Sequence, residues 1–316
     1  MTSEATATSE KLSDPSRPTT DAPASAPRFR VADYALLLKP RVMSLVVFTG
    51  VVGLAMAPGR HDAVTMIAAV VCIALGAGAA GAINMWYDRD IDQIMRRTMN
   101  RPLPAGRLGA GEALAFGVAL AVASVAAMAW LVNVVAAVLL ATTILYYVFI
   151  YTVWLKRRTP QNIVIGGVSG ALPPVIGWAA VTGDVGLGAL VLFAIIFLWT
   201  PPHSWALALY RRGDYEAAGV PMMPVIAGER ETKRQMLVYT ALLLPATLLP
   251  VGIGMSGALY GVAAMVLGIS FASHAWRVWK DEDGSRARPM FFFSIFYLFL
   301  IYVALLADRL LFYPVF

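Results

Sequence analysis

The segment NMWYDRDID, residues 84–92, sets an amide and two carboxylates at four-residue intervals: Asn84, Asp88 and Asp92. Each such step on a helix turns about 40° around the axis, so all three face one way and span roughly 12 Å along it. Oxygen donors placed like this can hold one or two hard divalent cations. Mg²⁺ is the natural guest, because it keeps several waters and completes its shell with substrate phosphate oxygens. Asp90 lies ~160° away from the stripe and is expected to pair with Arg89, Arg96 or a neighbouring loop. Arg96, Arg97 and Arg101 follow, cations suited to phosphate oxygens that a metal leaves uncompensated. Solvated charges anchoring a helix end would be the plainer account. The pattern N-x-x-x-D-x-x-x-D running into R-R-T-x-x-R-P instead points to a metal and diphosphate site.

Positioning that stripe requires a long helix, and the preceding run MIAAVVCIALGAGAAGA is apolar enough to cross a bilayer. The 316-residue chain is 59% hydrophobic and 14% charged, too apolar for a soluble domain of this size. An all-α, polytopic membrane protein is expected. Nine candidate spans are read at 36–57, 63–84, 112–132, 134–154, 162–181, 186–209, 236–254, 257–276 and 290–308. Residues 1–30, rich in Ser, Thr, Pro and Ala, read as a disordered tail, leaving 31–316 as one intramembrane domain. No secretory h-region is found, and the acidic residues Glu4, Glu10, Asp14 and Asp21 disfavour a transit peptide. Cys72 is the single cysteine, so neither a disulfide nor a thiolate metal cage can form.

Lys and Arg are distributed unevenly between the loops: 23 fall on one side and only Arg60 and Arg309 on the other. The positive-inside rule then makes the N-terminus cytoplasmic, with the loops after the second, fourth, sixth and eighth spans. That topology accounts for the +6 net charge without a nucleic-acid partner. It does not account for the acids on the same side, which are Asp88, Asp90 and Asp92 after the second span and Asp214, Glu216, Glu229 and Glu231 after the sixth.

At this point a resemblance emerges. NMWYDRDIDQIMRRTMNRPLPAGRL resembles the first aspartate-rich motif of the UbiA superfamily of intramembrane prenyltransferases. YTVWLKRRTPQNIVIGGVSGALPPVIGWAAVTG (151–183), WTPPHSWALAL (199–209) and DYEAAGVPMMPVIAGERETKRQ (214–235) are similar to its haem-modifying branch. The resemblance implies a nine-helix bundle opening to the cytoplasmic face, with Asn84, Asp88 and Asp92 binding a diphosphate through Mg²⁺. It implies farnesyl diphosphate as donor and protohaem IX, a substrate rather than a prosthetic group, as acceptor. A haem vinyl group would attack the allylic carbon and water would capture the resulting cation. Many superfamily members carry a second D-x-x-x-D, whereas here Asp214 is followed four residues later by Ala218. Asp214 is expected either to bind a second Mg²⁺ with help from Glu216 or to orient Arg211 or Arg212.

Such chemistry needs cations to stabilise the leaving diphosphate. Beyond Arg96, Arg97 and Arg101, the candidates are Lys156 and Arg157, with Lys156 assigned to diphosphate contact on the resemblance. Tyr147, Tyr151, Trp178 and Trp199 are candidates to shelter the allylic cation by cation–π attraction. His203, within an apolar span, is the candidate haem ligand or propionate contact, the alternative being a bond to a carbonyl freed by Pro201 or Pro202. Lys39 and Arg41 could pair with propionates or anchor the interface. The disfavoured transit peptide points to a bacterial inner membrane, and the resemblance implies a link to haem A synthase or terminal oxidase assembly.

Three other readings stand beside this one. A prenyltransferase acting on a quinone precursor or other aromatic would share the diphosphate side. A transporter would place polar residues at mid-membrane, where this chain is nearly uncharged. A haem-binding assembly factor without catalysis would bind haem regardless of Asp88.

Overall fold

The computed structural model describes residues 30–59 and 62–312, and in these there is no strand. The expected N-terminal tail and His61 lie outside the described residues. Fourteen helices follow one another: α1 Val31–Leu37, α2 Pro40–Met56, α3 Ala63–Tyr87, α4 Arg89–Ile94, α5 Ala110–Leu131, α6 Val134–Leu145, α7 Asn162–Ala171, α8 Pro173–Thr182, α9 Leu187–Tyr210, α10 Arg212–Ala217, α11 Met223–Ile226, α12 Gly228–Gly252, α13 Ala258–Lys280 and α14 Ala287–Phe312. A π-helical segment, Tyr146–Leu155, continues α6 without a break. Eight helices in the described residues are long and apolar enough to cross a membrane, or nine if α1 and α2 count as one bent span.

Three departures from the expected spans have local causes. The first span bends by 55° at Lys39, because Pro40 opens α2 and disfavours an α-helical residue before it. Lys39 instead takes φ 52°, the one positive φ among the described non-glycine residues. α12 starts eight residues before the expected 236, since the polar sequence GERETKRQ is itself helical and its Glu residues suit the first turn. The span 162–181 is two helices joined at Leu172, ahead of Pro173 and Pro174.

The two largest of the bundle's apolar clusters meet at α2 and α8. One gathers α2, α8, α9, α12, α13 and α14, with Trp205, Tyr260, Tyr297 and Tyr302 fully buried. The other joins α3, α5, α6 and α8. At the seam the backbones touch: a Cβ on Gly177 would come within 2.1 Å of the Gly50 carbonyl, and one on Gly53 within 2.1 Å of the Pro174 carbonyl. Without a hydrophobic force between helices in lipid, such close approach supplies the dispersion contact that holds spans together. Outward faces carry exposed Trp130, Val64, Val262 and Phe296, the surface expected of a chain solvated by lipid.

The ends of α3 and α9 lie together. Ile91 and Met95, after α3, pack with Ala208, Tyr215, Val220 and Met222. α1 is tied to the loop after α4 by the Asp33–Arg107 pair, 2.8 Å apart. This polar end of the bundle holds the acids singled out above.

Candidate active site

The donor stripe survives a break in the helix. α3 ends at Tyr87 and Asp88 serves as its C-cap, yet Asp88 N–H donates to the Asn84 carbonyl at 2.9 Å and Asp92 N–H to the Asp88 carbonyl at 2.9 Å. The four-residue register is therefore kept. Asn84, Asp88 and Asp92 are all buried, with Asp88 fully inaccessible.

Every member of the stripe faces a cation. Lys156 Nζ bonds Asp88 Oδ2, Arg101 lies 2.6 Å from Asp92 Oδ2, and Lys39 Nζ donates to Asn84 Oδ1 at 2.6 Å. Buried carboxylates are tolerable only when paired in this way. The three cations come from separate parts of the chain, the α1–α2 bend, the loop after α4 and the end of the π segment, and they converge on one row of oxygens.

Asn84 is oriented by a count of protons. Its Nδ2 donates to Asp88 Oδ2 at 2.8 Å and to Thr152 Oγ1 at 3.0 Å. Thr152 spends its own hydroxyl proton on the Tyr147 carbonyl, 2.8 Å away, so toward Asn84 it can only accept. The amide oxygen is thereby turned to the Lys39 side, where a metal or a phosphate-bound cation would need it. That Thr152 bond reaches back five residues, as does Lys156 N–H to the Tyr151 carbonyl at 2.9 Å, so the π register sets both groups. Tyr151 is accommodated by Gly166, where a Cβ would meet its ring at 2.3 Å.

The arginines divide. Arg157 grips Asp90 with two bonds of 2.6 and 2.7 Å, also donates to the Tyr87 carbonyl, and reaches Asp88 only at 3.7 Å. Its bonds hold the Asp90 carboxyl below the usual carboxylate range. Asp90 thus pairs across to a neighbouring loop, and neither Arg89 nor Arg96 is its partner. Arg96 and Arg97 are exposed. Burial raises the Tyr215 phenol, opposed by the nearby Arg97 and Lys156 charges, which brings Arg97 to the same polar end.

Asp214 stands apart from the stripe. It sits 3.7 Å from Arg211, its Oδ2 is buried without a hydrogen bond, and Glu216 is exposed. Among the described residues, no three His, Cys, Asp or Glu side chains converge as a metal cage. The donors present, one amide and two carboxylates, of which Asp88 keeps its Oδ1 without a hydrogen bond, fit an ion that draws its remaining ligands from water and phosphate, as Mg²⁺ does.

On the acceptor side the aromatic candidates separate. Tyr147 and Tyr151 lie 5.3 Å apart beside the stripe. Trp178 does not join them: it packs against Gly186 and Gly188, at the start of α9 and the opposite end of the bundle. Trp199 stacks on His203 at 4.2 Å, and Phe291 lies near its ring at 4.8 Å. His203 Nδ1 is 2.6 Å from Ser294 Oγ, so the expected alternative, a bond to a proline-freed carbonyl, is not what the ring makes. His274 bonds only its own helix, Nδ1 to the Ser270 carbonyl at 2.9 Å.

Lys39, Thr152 and Ser294 are the site residues that sequence reasoning missed or misplaced. Lys39 reads as a propionate or interface residue, whereas it meets Asn84. The Lys-Pro pair signals the bend at Lys39 but not the partner it meets. Thr152 gave no signal, because the π register is invisible in an apolar run.

The chain matches the UbiA prenyltransferase family over residues 46–306. It is 58% identical over 283 residues to a protein of Parvibaculum lavamentivorans named protoheme IX farnesyltransferase, covering 88% of this chain and 89% of that one. A solved structure of digeranylgeranylglyceryl phosphate synthase aligns with TM-score 0.74 at 18% identity, over 88% of this chain and 98% of that one. A UbiA homolog from Archaeoglobus fulgidus bound to DMAPP and Mg²⁺ aligns with TM-score 0.64 at 16% identity, over 86% and 99%. With the family matched over most of its length and relatives more than half identical, the chain belongs to the UbiA prenyltransferase family.

Proposed function

We propose that this chain transfers the farnesyl group of farnesyl diphosphate to a vinyl group of protohaem IX, with addition of water. The observation that carries the reading is the buried row Asn84, Asp88 and Asp92 with its three facing cations, in a chain 58% identical to a protein named protoheme IX farnesyltransferase. The C1–O bond of the allylic diphosphate breaks and its electron pair leaves with diphosphate. The terminal vinyl carbon then bonds to C1. Water adds at the ring-side vinyl carbon and releases a proton, which gives a hydroxyethylfarnesyl substituent.

Asn84, Asp88 and Asp92 would hold Mg²⁺, which when bound would supply charge stabilisation for the departing diphosphate. Lys156 and Arg101 turn from the carboxylates, and Lys39 from the Asn84 amide oxygen, toward the phosphate oxygens, and Arg96 and Arg97 at the rim draw the anion in. Arg157 buttresses the site through Asp90. Asp214 orients Arg211 as a further cation of this end. Tyr147 and Tyr151 present ring faces to the allylic cation, while the surrounding apolar helices keep water from capturing it early.

The basic loops make this end of a single intramembrane domain, residues 31–316, cytoplasmic in a bacterial inner membrane. The product, haem O, feeds haem A synthase or terminal oxidase assembly. The test is incubation of purified, detergent-solubilised chain with protohaem, farnesyl diphosphate and Mg²⁺, followed by mass analysis of the extracted haem. A farnesyl-plus-water gain is expected. Active, folded protein that prenylates a phenolic acceptor and leaves haem untouched would overturn the acceptor assignment.

A further inference from the structure

Ser294 on α14 is fully buried and carries a single hydroxyl proton. That proton goes to the Phe291 carbonyl, 2.6 Å away. Toward His203 the oxygen can then only accept, so the hydrogen between them belongs to the imidazole Nδ1. The neighbours Trp199 and Phe291 supply no counter-charge for an imidazolium, which within an apolar span would be costly. The ring is the neutral Nδ1–H tautomer, and Nε2 carries a lone pair.

That nitrogen has no use inside the protein. It makes no hydrogen bond among the described residues and is not one of their sealed, unpartnered atoms. Its surroundings are nonetheless built with care. Trp199 lies 4.2 Å from the ring and nearly parallel to it, Phe291 is at 4.8 Å, and Trp199 Nε1 is itself pinned to the Ser294 carbonyl at 2.8 Å. A histidine with one nitrogen committed and the other bare is the arrangement of metal-binding imidazoles, in which the outer bond fixes tautomer and ring plane.

We propose that His203 Nε2 binds the iron of the haem acceptor, with Ser294 fixing the tautomer and the two aromatic rings fixing the plane. The assignment rests on the haem reading above and adds where the acceptor is held. His203 lies seven residues before the end of α9 at Tyr210, so the iron sits ~10 Å below the polar end, within the apolar layer. His274 has the same tautomer, but its bond is to its own helix and its ring rests on Phe293 alone. It serves as the control.

The test titrates full-length chain in detergent, without farnesyl diphosphate, with haemin and in parallel with iron-free protoporphyrin IX, read by visible absorption and EPR. Wild type is expected to give the spectrum of nitrogen-ligated haem and to bind haemin at least tenfold tighter than protoporphyrin. His203→Ala is expected to lose that signature and at least the ~10–100-fold in affinity that outer-shell partners alone command. Its protoporphyrin affinity stays unchanged, and added imidazole restores the signature. His203→Phe keeps the stack without a lone pair and should behave alike, which guards against a folding defect. Ser294→Ala weakens haemin binding by a smaller factor, and His274→Ala leaves it unaltered. An unchanged spectrum and affinity in both His203 variants, or loss in His274→Ala instead, would overturn the proposal. So would wild type that farnesylates haem with no nitrogen-ligand signature, an outcome that leaves the reaction standing. The signature without any farnesylated product would uphold the binding site and sink the reaction.

Discussion

Two helix ends that lie together at the polar end of this bundle are built on the same backbone device and present different side chains. α3 stops at Tyr87, is capped by Asp88 and resumes as the six-residue α4. α9 stops at Tyr210, is capped by Arg211 and resumes as the six-residue α10. In both, hydrogen bonds four residues apart run through the cap: Asp88 to Asn84 and Asp92 to Asp88 at 2.9 Å, Arg211 to Leu207 at 3.1 Å and Tyr215 to Arg211 at 3.3 Å. The positions that hold Asn84, Asp88 and Asp92 at the first end therefore hold Leu207, Arg211 and Tyr215 at the second. Asp214 stands off that stripe beside Arg211. A repeated backbone does not imply a repeated row of oxygen donors; the side chains at three register positions decide it.

The comparison can be broken by asking each end to do without its acid. Asp88→Ala should lower the rate of haem farnesylation by about 10²–10³-fold or more, the scale of removing one group that stabilises developing charge, as read by product mass. Thr152→Val should raise the Mg²⁺ concentration needed for half-maximal rate by ~10–100-fold, because the Asn84 amide loses the acceptor that orients it. Thr152→Ser should restore it. At the second end, Asp214→Ala should cost about tenfold, ~1.4 kcal/mol of transition-state energy. A loss equal to that of Asp88→Ala would mean that both ends hold metal.

Two smaller tests sharpen the contrast. Ala218→Asp supplies the carboxylate missing from the second end, and the rate and its Mg²⁺ dependence should stay within about twofold, ~0.4 kcal/mol. The smallest effect belongs to Asp90, whose side chain is 60% exposed. Its carboxyl is held below the usual range by Arg157, so the pair's contribution is complete above the unfolded value of about 3.9 and is lost as pH falls through the lower folded value. An exposed pair contributes ~0–1 kcal/mol. Asp90→Asn should therefore lower the thermal midpoint slightly at pH 7, and the difference should vanish in acid.

The sequence carried the span positions because bilayer thickness imposes a length on apolar runs, and it carried the donor stripe because a four-residue spacing is a local property of helices. It did not carry partnership. That Lys39 meets Asn84 across 45 residues, or that His203 finds Ser294 across 91, depends on which spans lie side by side, and apolar faces in lipid hardly encode that choice. Trp178 went wrong for the related reason that a helix in an apolar run has two ends, and only packing says which of them faces the chemistry. Periodicity also missed the π segment, since a one-residue change of register leaves an all-apolar stretch looking the same.

That segment has a consequence for how the chain tolerates length change. Residues 146–155 close each hydrogen-bonded ring with one residue more than an α-helix does. Deleting a single residue there would let the segment relax to ordinary α geometry with its apolar character intact and its span nearly as long. The π segment already holds that extra residue, so the residues beyond it would keep nearly the same face, whereas a deletion in the α-helical part of the same span, α6, would turn everything after it by about 100° about the axis and swing the lysine that now meets Asp88 away. A lesion that hydropathy cannot register would thus be absorbed within residues 146–155 and act as a rotation within α6.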